Sequence, residues 1–585
     1  MHNHRLSLVV GASALIAGVF SIRASCGGEG SVTQTREPAL SGLPFDETRF
    51  TRDLESIASY DRSTGSAGEN RAIDYLAAEL SHADIATAMY PFSALVSFPL
   101  AASLTVDGNS VGEALTYSFS GTTPAGGVTG RVLVAEITPA EGQGPAENLI
   151  LPRVCRGAII LVDSWPFAEV VRKIERCGAL GAVFTSQTKG LINFIASPIW
   201  GTPSASNIDS LPHLPGVTLR RADFLALADQ AKSGLTRATL IASASRERRT
   251  LRLLIATITG QTPQFVLMGA HIDAWQSGAT DNGVANAMML SFARALRNGP
   301  KPRRTVVFAW WPGHSQGRYA GSAWFADTQW AWLNRYGVAY LNEDVLGSRD
   351  ASRYSVAATA ELDPLAIRVI NDSLGLRPQI ERPSRSADQS FLGIGLPSIS
   401  VVHAGEQSPS DWWHDSTDTL DKVSLPLVRQ EYGAVSAVLM NLAQSSPLPL
   451  RFAPVAEQID SRLRSLQHGA GSRFSLAPVL AAAAAFRREA QRTDALLAAG
   501  ERRPDDEALM RVARSLNPML YTRGDRFVPD EAVGLPLIPS LSSAERLSTL
   551  DPEELELARV DLVREQNRVV DALESARRAL EAIEQ

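Results

Sequence analysis

From residue 250 to 446, apolar runs alternate with helically spaced segments, and no other feature narrows the fold as much. Leu251–Thr259, Phe265–Ala270, Thr305–Trp311, Val338–Asn342 and Pro397–Val402 read as strands, and Asn286–Arg297 as a helix. Such alternation predicts an α/β fold with a mostly parallel sheet flanked by helices. Sites in these sheets form beyond the carboxyl ends of the strands. The residues directly after each apolar run are therefore the first place to look for chemistry.

The flanking regions differ in texture. Residues 45–107 begin with two helical stretches broken at Ser63-Thr64-Gly65-Ser66 and turn extended from Ala86. Residues 108–249 alternate short β-rich runs with Gly/Pro turns and differ in texture from what flanks them. Within it, Gly157–Asp163, Phe167–Cys177 and Gly181–Phe184 spell strand, amphipathic helix, strand, as in a crossover between parallel strands. Residues 447–585 are mostly helical. Asp551-Pro552-Glu553-Glu554 gives the last helix an N-cap, a first-turn proline and acids near its positive end. Leu555, Ala558, Leu562, Val569, Leu573, Ala576, Leu580 and Ile583 then form a face that packs either on its own chain or on a partner subunit.

Residues 1–25 combine Arg5, an apolar run from Leu6 to Ile22 and small residues at Ala24 and Ser25, the grammar of a signal peptide. The run is too short and too rich in Gly and Ser for a typical membrane span. The expectation is an exported protein, periplasmic or extracellular, with residues 26–44 as a linker. Cys26-Gly27-Gly28 resembles the start of a bacterial lipoprotein and would put a lipid anchor on Cys26, although Arg23 stands where Leu is usual. Three Cys in 585 residues exclude a disulfide scaffold. Cys155 and Cys177 either pair or remain two buried thiols. With 56 basic and 62 acidic residues, the net charge of −6 argues against nucleic acid as a partner.

His and carboxylates cluster at the predicted strand ends. His271 follows Phe265–Ala270, and Asp273 lies on the same side of an extended chain, where a carboxylate fixes a ligand histidine's tautomer. Asp281 follows in the next loop. Asp344 ends another strand, with Glu343 expected on the opposite face. His414 and Asp418 lie in the loop after Pro397–Val402, behind Trp412 and Trp413. A His–carboxylate set on successive strand ends is the donor set of a zinc hydrolase. Trp275, Trp412 and Trp413 are candidate apolar walls or ordinary core residues.

In order and spacing, His271-x-Asp273, Asp281, Asp344 and His414-x-x-x-Asp418-Thr419 resemble the M28 family of metallopeptidases. With the β-rich stretch 108–249 and the helical C-terminus, the mature chain resembles the glutamate carboxypeptidase II and transferrin receptor architecture. The resemblance implies a protease-associated domain over 108–249, an M28-like core over 45–107 and 250–446, and a helical dimerisation-like domain over 447–585. It also implies a homodimer, zinc at His271, Asp281 and Asp344, and a second site at Asp281 and His414, with Asp281 bridging.

One departure bears on mechanism. The family carries Glu-Glu in a pattern like Trp-x-x-Glu-Glu-x-Gly-x-x-Gly-Ser; the first Glu is the general base and the second a zinc ligand. This chain reads Trp311-Pro312-Gly313-His314-Ser315-Gln316-Gly317, with Gly321-Ser322 one residue late. Counting forward places the pair on His314-Ser315, and counting back places it on Ser315-Gln316. One zinc is thus expected rather than two, unless His314 joins the second site as a ligand, and His314 and Asp273 are the expected catalytic residues. The expected activity is hydrolysis of a peptide or small amide by a metal-activated water. The alternatives are an inactive, transferrin receptor-like binding protein, or a scaffold turned to a non-peptide amide or ester. The stretch Val402–Gln407 before His414 lacks the Arg cluster of acidic-substrate members, so no glutamate preference is carried over.

Overall fold

The computed structural model describes residues 41–138, 146–383, 385–404, 409–502 and 504–584. The signal-like segment, Cys26 and most of the expected linker lie outside them. Among the described residues no helix is long and apolar enough to cross a membrane.

Among the described residues, two eight-stranded sheets organise the molecule. The first runs Ala86–Val96, Glu247–Ile258, Arg304–Trp311, Thr262–His271, Gly337–Asn342, Ser398–Ala404, Arg353–Ala358, Gln379–Glu381. Its centre, from Arg304–Trp311 to Ser398–Ala404, is parallel. Glu247–Ile258 on one side and Arg353–Ala358 on the other pair antiparallel, so the sheet is mixed around a parallel core. The central strands are continuous apolar runs because both faces are covered. Along Glu247–Ile258, Leu251, Leu253 and Ile255 enter one apolar cluster and Leu254, Ala256 and Ile258 the other, as period-2 alternation requires.

The second sheet takes in Pro99–Val106, paired with Arg237–Ala244. It therefore starts before residue 108 and ends before 249. Pattern alone identifies Pro99–Val106 as extended but does not say which sheet it joins. The strands Ala158–Val162 and Gly181–Thr185 are parallel neighbours joined through the helix Ala168–Arg176, as their sequence pattern predicts. Cys155 and Cys177 are joined as a disulfide.

Asp551 caps the helix Pro552–Glu584 through a reciprocal box: Glu554 N donates to Asp551 Oδ1 at 2.9 Å and Asp551 N to Glu554 Oε2 at 3.2 Å. The stripe Leu562, Val569, Leu573, Ala576 and Leu580 is buried within this chain, in the core cluster that also takes residues from the helices Ala477–Ala498 and Asp506–Tyr521. It is therefore not a free face for a partner subunit; the large apolar residues that this helix exposes are Leu557, Val560 and Val563. Arg304, fully buried at the start of its strand, ties the sheet to the helical region: Nε donates to Asp506 Oδ2 at 3.0 Å and its two amino groups to the carbonyls of Leu442 and Ser445, each at 2.8 Å. Removing one member of such a pair strands a charge in the core, at a cost of about 3–5 kcal/mol.

Candidate metal centre

The parallel strands deliver their functional residues to one edge. His271 ends Thr262–His271 and Asp344 follows Gly337–Asn342 by two residues. His314 lies in the turn after Arg304–Trp311, and Asp281 precedes the helix Val284–Asn298. His414 lies in the loop beyond Ser398–Ala404. Two glycines shape these turns. Gly313 (φ +79°) presents His314, and a side chain there would meet Leu251; Gly278 (φ +49°) lies so close to the Asp281 carbonyl that no Cβ fits. His414 itself adopts φ +58°, a costly conformation for a non-glycine residue that persists where surrounding structure enforces it.

His271, Asp281, Asp344 and His414 converge. His271 Nε2 lies 2.9 Å from Asp281 Oδ1 and 3.1 Å from Asp344 Oδ1, and His414 Nε2 lies 3.3 Å from Asp281 Oδ2. Asp281 therefore offers one oxygen to each histidine. Each ring is anchored at its other nitrogen: His271 Nδ1 on the Asp273 carbonyl at 2.7 Å, and His414 Nδ1 on the Asn193 carbonyl at 3.0 Å. With Nδ1 as donor, Nε2 turns its lone pair toward carboxylate oxygens. Lone pairs facing lone pairs require a positive charge between them, either a proton or a metal ion. Burial opposes a charge on His271, but Asp344 and Asp281 outweigh it and hold the ring well above its ordinary range. Burial likewise opposes ionisation of Asp281, yet His271 and His414 hold it well below the usual carboxylate range. Imidazole and carboxylate donors in this arrangement suit zinc.

His314 joins this group: ligand atoms of His271, His314 and Asp344 all lie within 4.8 Å of one another. Its ring stacks on that of His271, and Nδ1 meets Asp388 Oδ2 at 2.9 Å. Ser315 is buried. Gln316 turns away, its Oε1 accepting from the Thr64 amide at 2.8 Å. Counting forward from Trp311 is therefore the register that puts a side chain in the cluster. The Asp273 carboxylate does not contact the His271 ring closely, standing 3.9 Å from Nδ1. It organises the His314 loop instead: Oδ1 accepts the His314 amide at 3.1 Å, and Oδ2 the Ser315 amide at 2.8 Å and the Thr64 hydroxyl at 2.6 Å. Glu343 is buried one residue past the strand Gly337–Asn342, and burial pushes it well above its ordinary range.

Several supports are invisible in the sequence pattern. Arg62, fully buried, donates to the carbonyls of Ile272 at 2.9 Å, Gly278 at 2.9 Å and Ile57 at 3.1 Å, and also to Ser277, bracing the loop between His271 and Asp281. Burial lowers it to about 10, opposed by Asp418, Asp281 and Asp273. Asp418 accepts the Thr280 and Asp281 amides at 3.0 and 2.9 Å, and burial raises it to about 6. Asn193, from the inserted region, also donates its side-chain amide to the His414 carbonyl at 3.1 Å. Trp413 stacks on His414 with centroids 3.5 Å apart. Trp275 is buried, and Trp412 lines a cavity of about 570 Å³ with Lys189, Arg220, Asp415 and Lys422.

Residues 254–439 match the peptidase family M28. A probable lipoprotein aminopeptidase of Mycobacterium tuberculosis, LpqL, is 29% identical over 411 residues, covering 64% of this chain and 79% of its own. A probable glutamate carboxypeptidase of Arabidopsis thaliana, AMP1, is 26% identical over 253 residues, covering 39% of this chain but only 35% of that protein. Among solved structures, the Bacillus subtilis zinc aminopeptidase BSAP superposes with a TM-score of 0.55 at 18% identity, over 70% of this chain and 98% of its own. That likeness is one of fold. The strand-end histidines and carboxylates, His271, Asp281, Asp344 and His414, all lie within the stretch 254–439 that matches peptidase family M28.

Proposed function

We propose that this chain is an exported, zinc-dependent aminopeptidase or closely related peptide hydrolase. The observation that carries this reading is the convergence of the His271 and His414 Nε2 atoms on the two oxygens of Asp281, with Asp344 completing the set around His271. His271, Asp281 and Asp344 would hold one zinc ion. Asp281 and His414 alone make a weaker second position, because Ser315 stands where a carboxylate would complete it. Zinc bound there would polarise a scissile carbonyl and acidify a water.

The remaining work falls to the chain. His314 accepts the proton from the attacking water and returns it to the leaving amine, as a general base then acid. Asp273 holds the two amides that set the His314 turn. Asp418 and Arg62 keep the loop from His271 to Asp281 in shape. Export is supported by the signal-like N-terminus, by the Cys155–Cys177 disulfide, which persists in oxidising compartments, and by the similarity to a relative named as a lipoprotein aminopeptidase. The direct test combines elemental analysis of the purified chain with hydrolysis of aminoacyl anilides and N-blocked peptides. Metal-free protein that turns over no unblocked substrate, even with added zinc, would reject the reading.

A further inference from the structure

We infer that Asp388, Ser322, Ser390 and Trp200 form a directional hydrogen-bond chain that fixes the tautomer of His314. This rests on the reading of His314 as the base, and it adds the residues that prepare it.

The direction of every bond follows from what each group can do. An indole N–H only donates, so Trp200 Nε1 gives its hydrogen to Ser390 Oγ at 2.8 Å. A carboxylate only accepts, so Ser322 gives its hydrogen to Asp388 Oδ1 at 2.6 Å, a much shorter contact than its 3.3 Å approach to the Tyr319 carbonyl. Between the two hydroxyls, 2.8 Å apart, Ser390 must then be the donor and Ser322 the acceptor. The other oxygen of Asp388 also accepts, and its partner is His314 Nδ1 at 2.9 Å. Nδ1 therefore carries the hydrogen. In the neutral ring Nε2 then keeps the lone pair, and the ring is held against His271 and edge-on to Tyr319.

Burial makes this arrangement hard to reverse. Asp388 and Ser322 are all but inaccessible and Trp200 is nearly so. Reversing one bond would leave two acceptors or two donors face to face away from water. The chain also joins two regions, since Trp200 lies between the strands Pro99–Val106 and Arg237–Ala244 of the second sheet, while His314 and Ser322 follow the strand Arg304–Trp311 and Asp388 and Ser390 precede the strand Ser398–Ala404 of the first. Asp388, Ser322, Ser390 and Trp200 are positioning residues; none of them needs to touch substrate.

Asp388→Asn tests the inference with little change in shape. Ser322 would keep donating to the amide oxygen, so the amide NH₂ would face His314 Nδ1 and force the hydrogen onto Nε2. The full chain, labelled with ¹⁵N-histidine and held above the ordinary His range of about 6.5, reports the tautomer by long-range ¹H–¹⁵N spectra. The His314 signals are assigned by their loss in His314→Ala. The expected result is an Nδ1–H ring in the wild type and an Nε2–H ring in Asp388→Asn. In the variant kcat should fall about 10²–10⁴-fold, as for a histidine base in the wrong tautomer, with KM within about threefold. A wild-type Nε2–H ring overturns the inference whether or not the variant folds, and so does an unchanged tautomer in Asp388→Asn. Unchanged turnover in His314→Ala instead rejects the base reading and leaves the spectra to decide the tautomer.

Discussion

The imidazole of His314 lies against that of His271, with ring centroids 3.9 Å apart and planes inclined by 13°. One ring belongs to the proposed zinc set and the other occupies the position where the M28 pattern carries its basic Glu. A carboxylate there would add negative charge beside Asp281 and Asp344; an imidazole does not. On the proposed reading His314 keeps a proton acceptor there while removing a negative charge from the site, and it is the neighbouring Ser315 that withholds a carboxylate from the second metal position.

Metal content should reflect that asymmetry. Purified protein without excess metal should hold no more than about one zinc per chain, since only one position has three protein ligands. His271→Ala should lose it. Two tightly held ions in wild-type protein, measured by elemental analysis after dialysis, would contradict the assignment.

His314→Ala should lower kcat by roughly 10²–10⁴-fold, the usual contribution of a general base, while zinc content stays near that of the wild type. Steady-state kinetics and metal analysis on the same preparation check this. Loss of zinc along with activity would make His314 a ligand instead.

Asp363 gives the fold a pH dependence of its own. Burial, with Glu361 adding to it, raises Asp363 to about 8, and its Oδ1 is buried with no hydrogen-bond partner. In the unfolded chain the group ionises near about 3.9. Between those values the folded state binds the extra proton, so this contribution is fully present below the unfolded value and is lost as pH rises through about 8. Asp363→Asn should flatten that slope and raise stability above it by on the order of 2 kcal/mol, with no comparable gain near pH 4. Urea unfolding across the range measures both arms. Equal effects at the two ends would show that ionisation of Asp363 is not the cause.

Leu573→Asp separates a core helix from an interface helix. Leu573 is fully buried within its own chain. The substitution should cost at least about 3 kcal/mol, combining lost apolar burial with a buried charge, and thermal denaturation should show it at every protein concentration. A variant as stable as wild type that merely changes its sedimentation would place Leu573 in a subunit contact.

The sequence by itself determined the parallel strands, the crossover at 158–185 and the set His271, Asp281, Asp344 and His414, because each is a local pattern: an apolar run, a helical period, a polar residue at a run's end. It also exposed the replacement of Glu-Glu by His314-Ser315, but with two registers open. Only the tertiary structure decided the rest. The partner of His314 is Asp388, 74 residues away; Arg62 braces Ile272 across 210 residues; and Asn193 reaches His414 across 221. No spacing rule links such pairs, since each contact exists only after separate strands and loops have been packed side by side. The same limit explains the last helix. Its apolar stripe has one periodicity whether it meets its own chain or another, and the choice rests on which surface the packed helices leave uncovered.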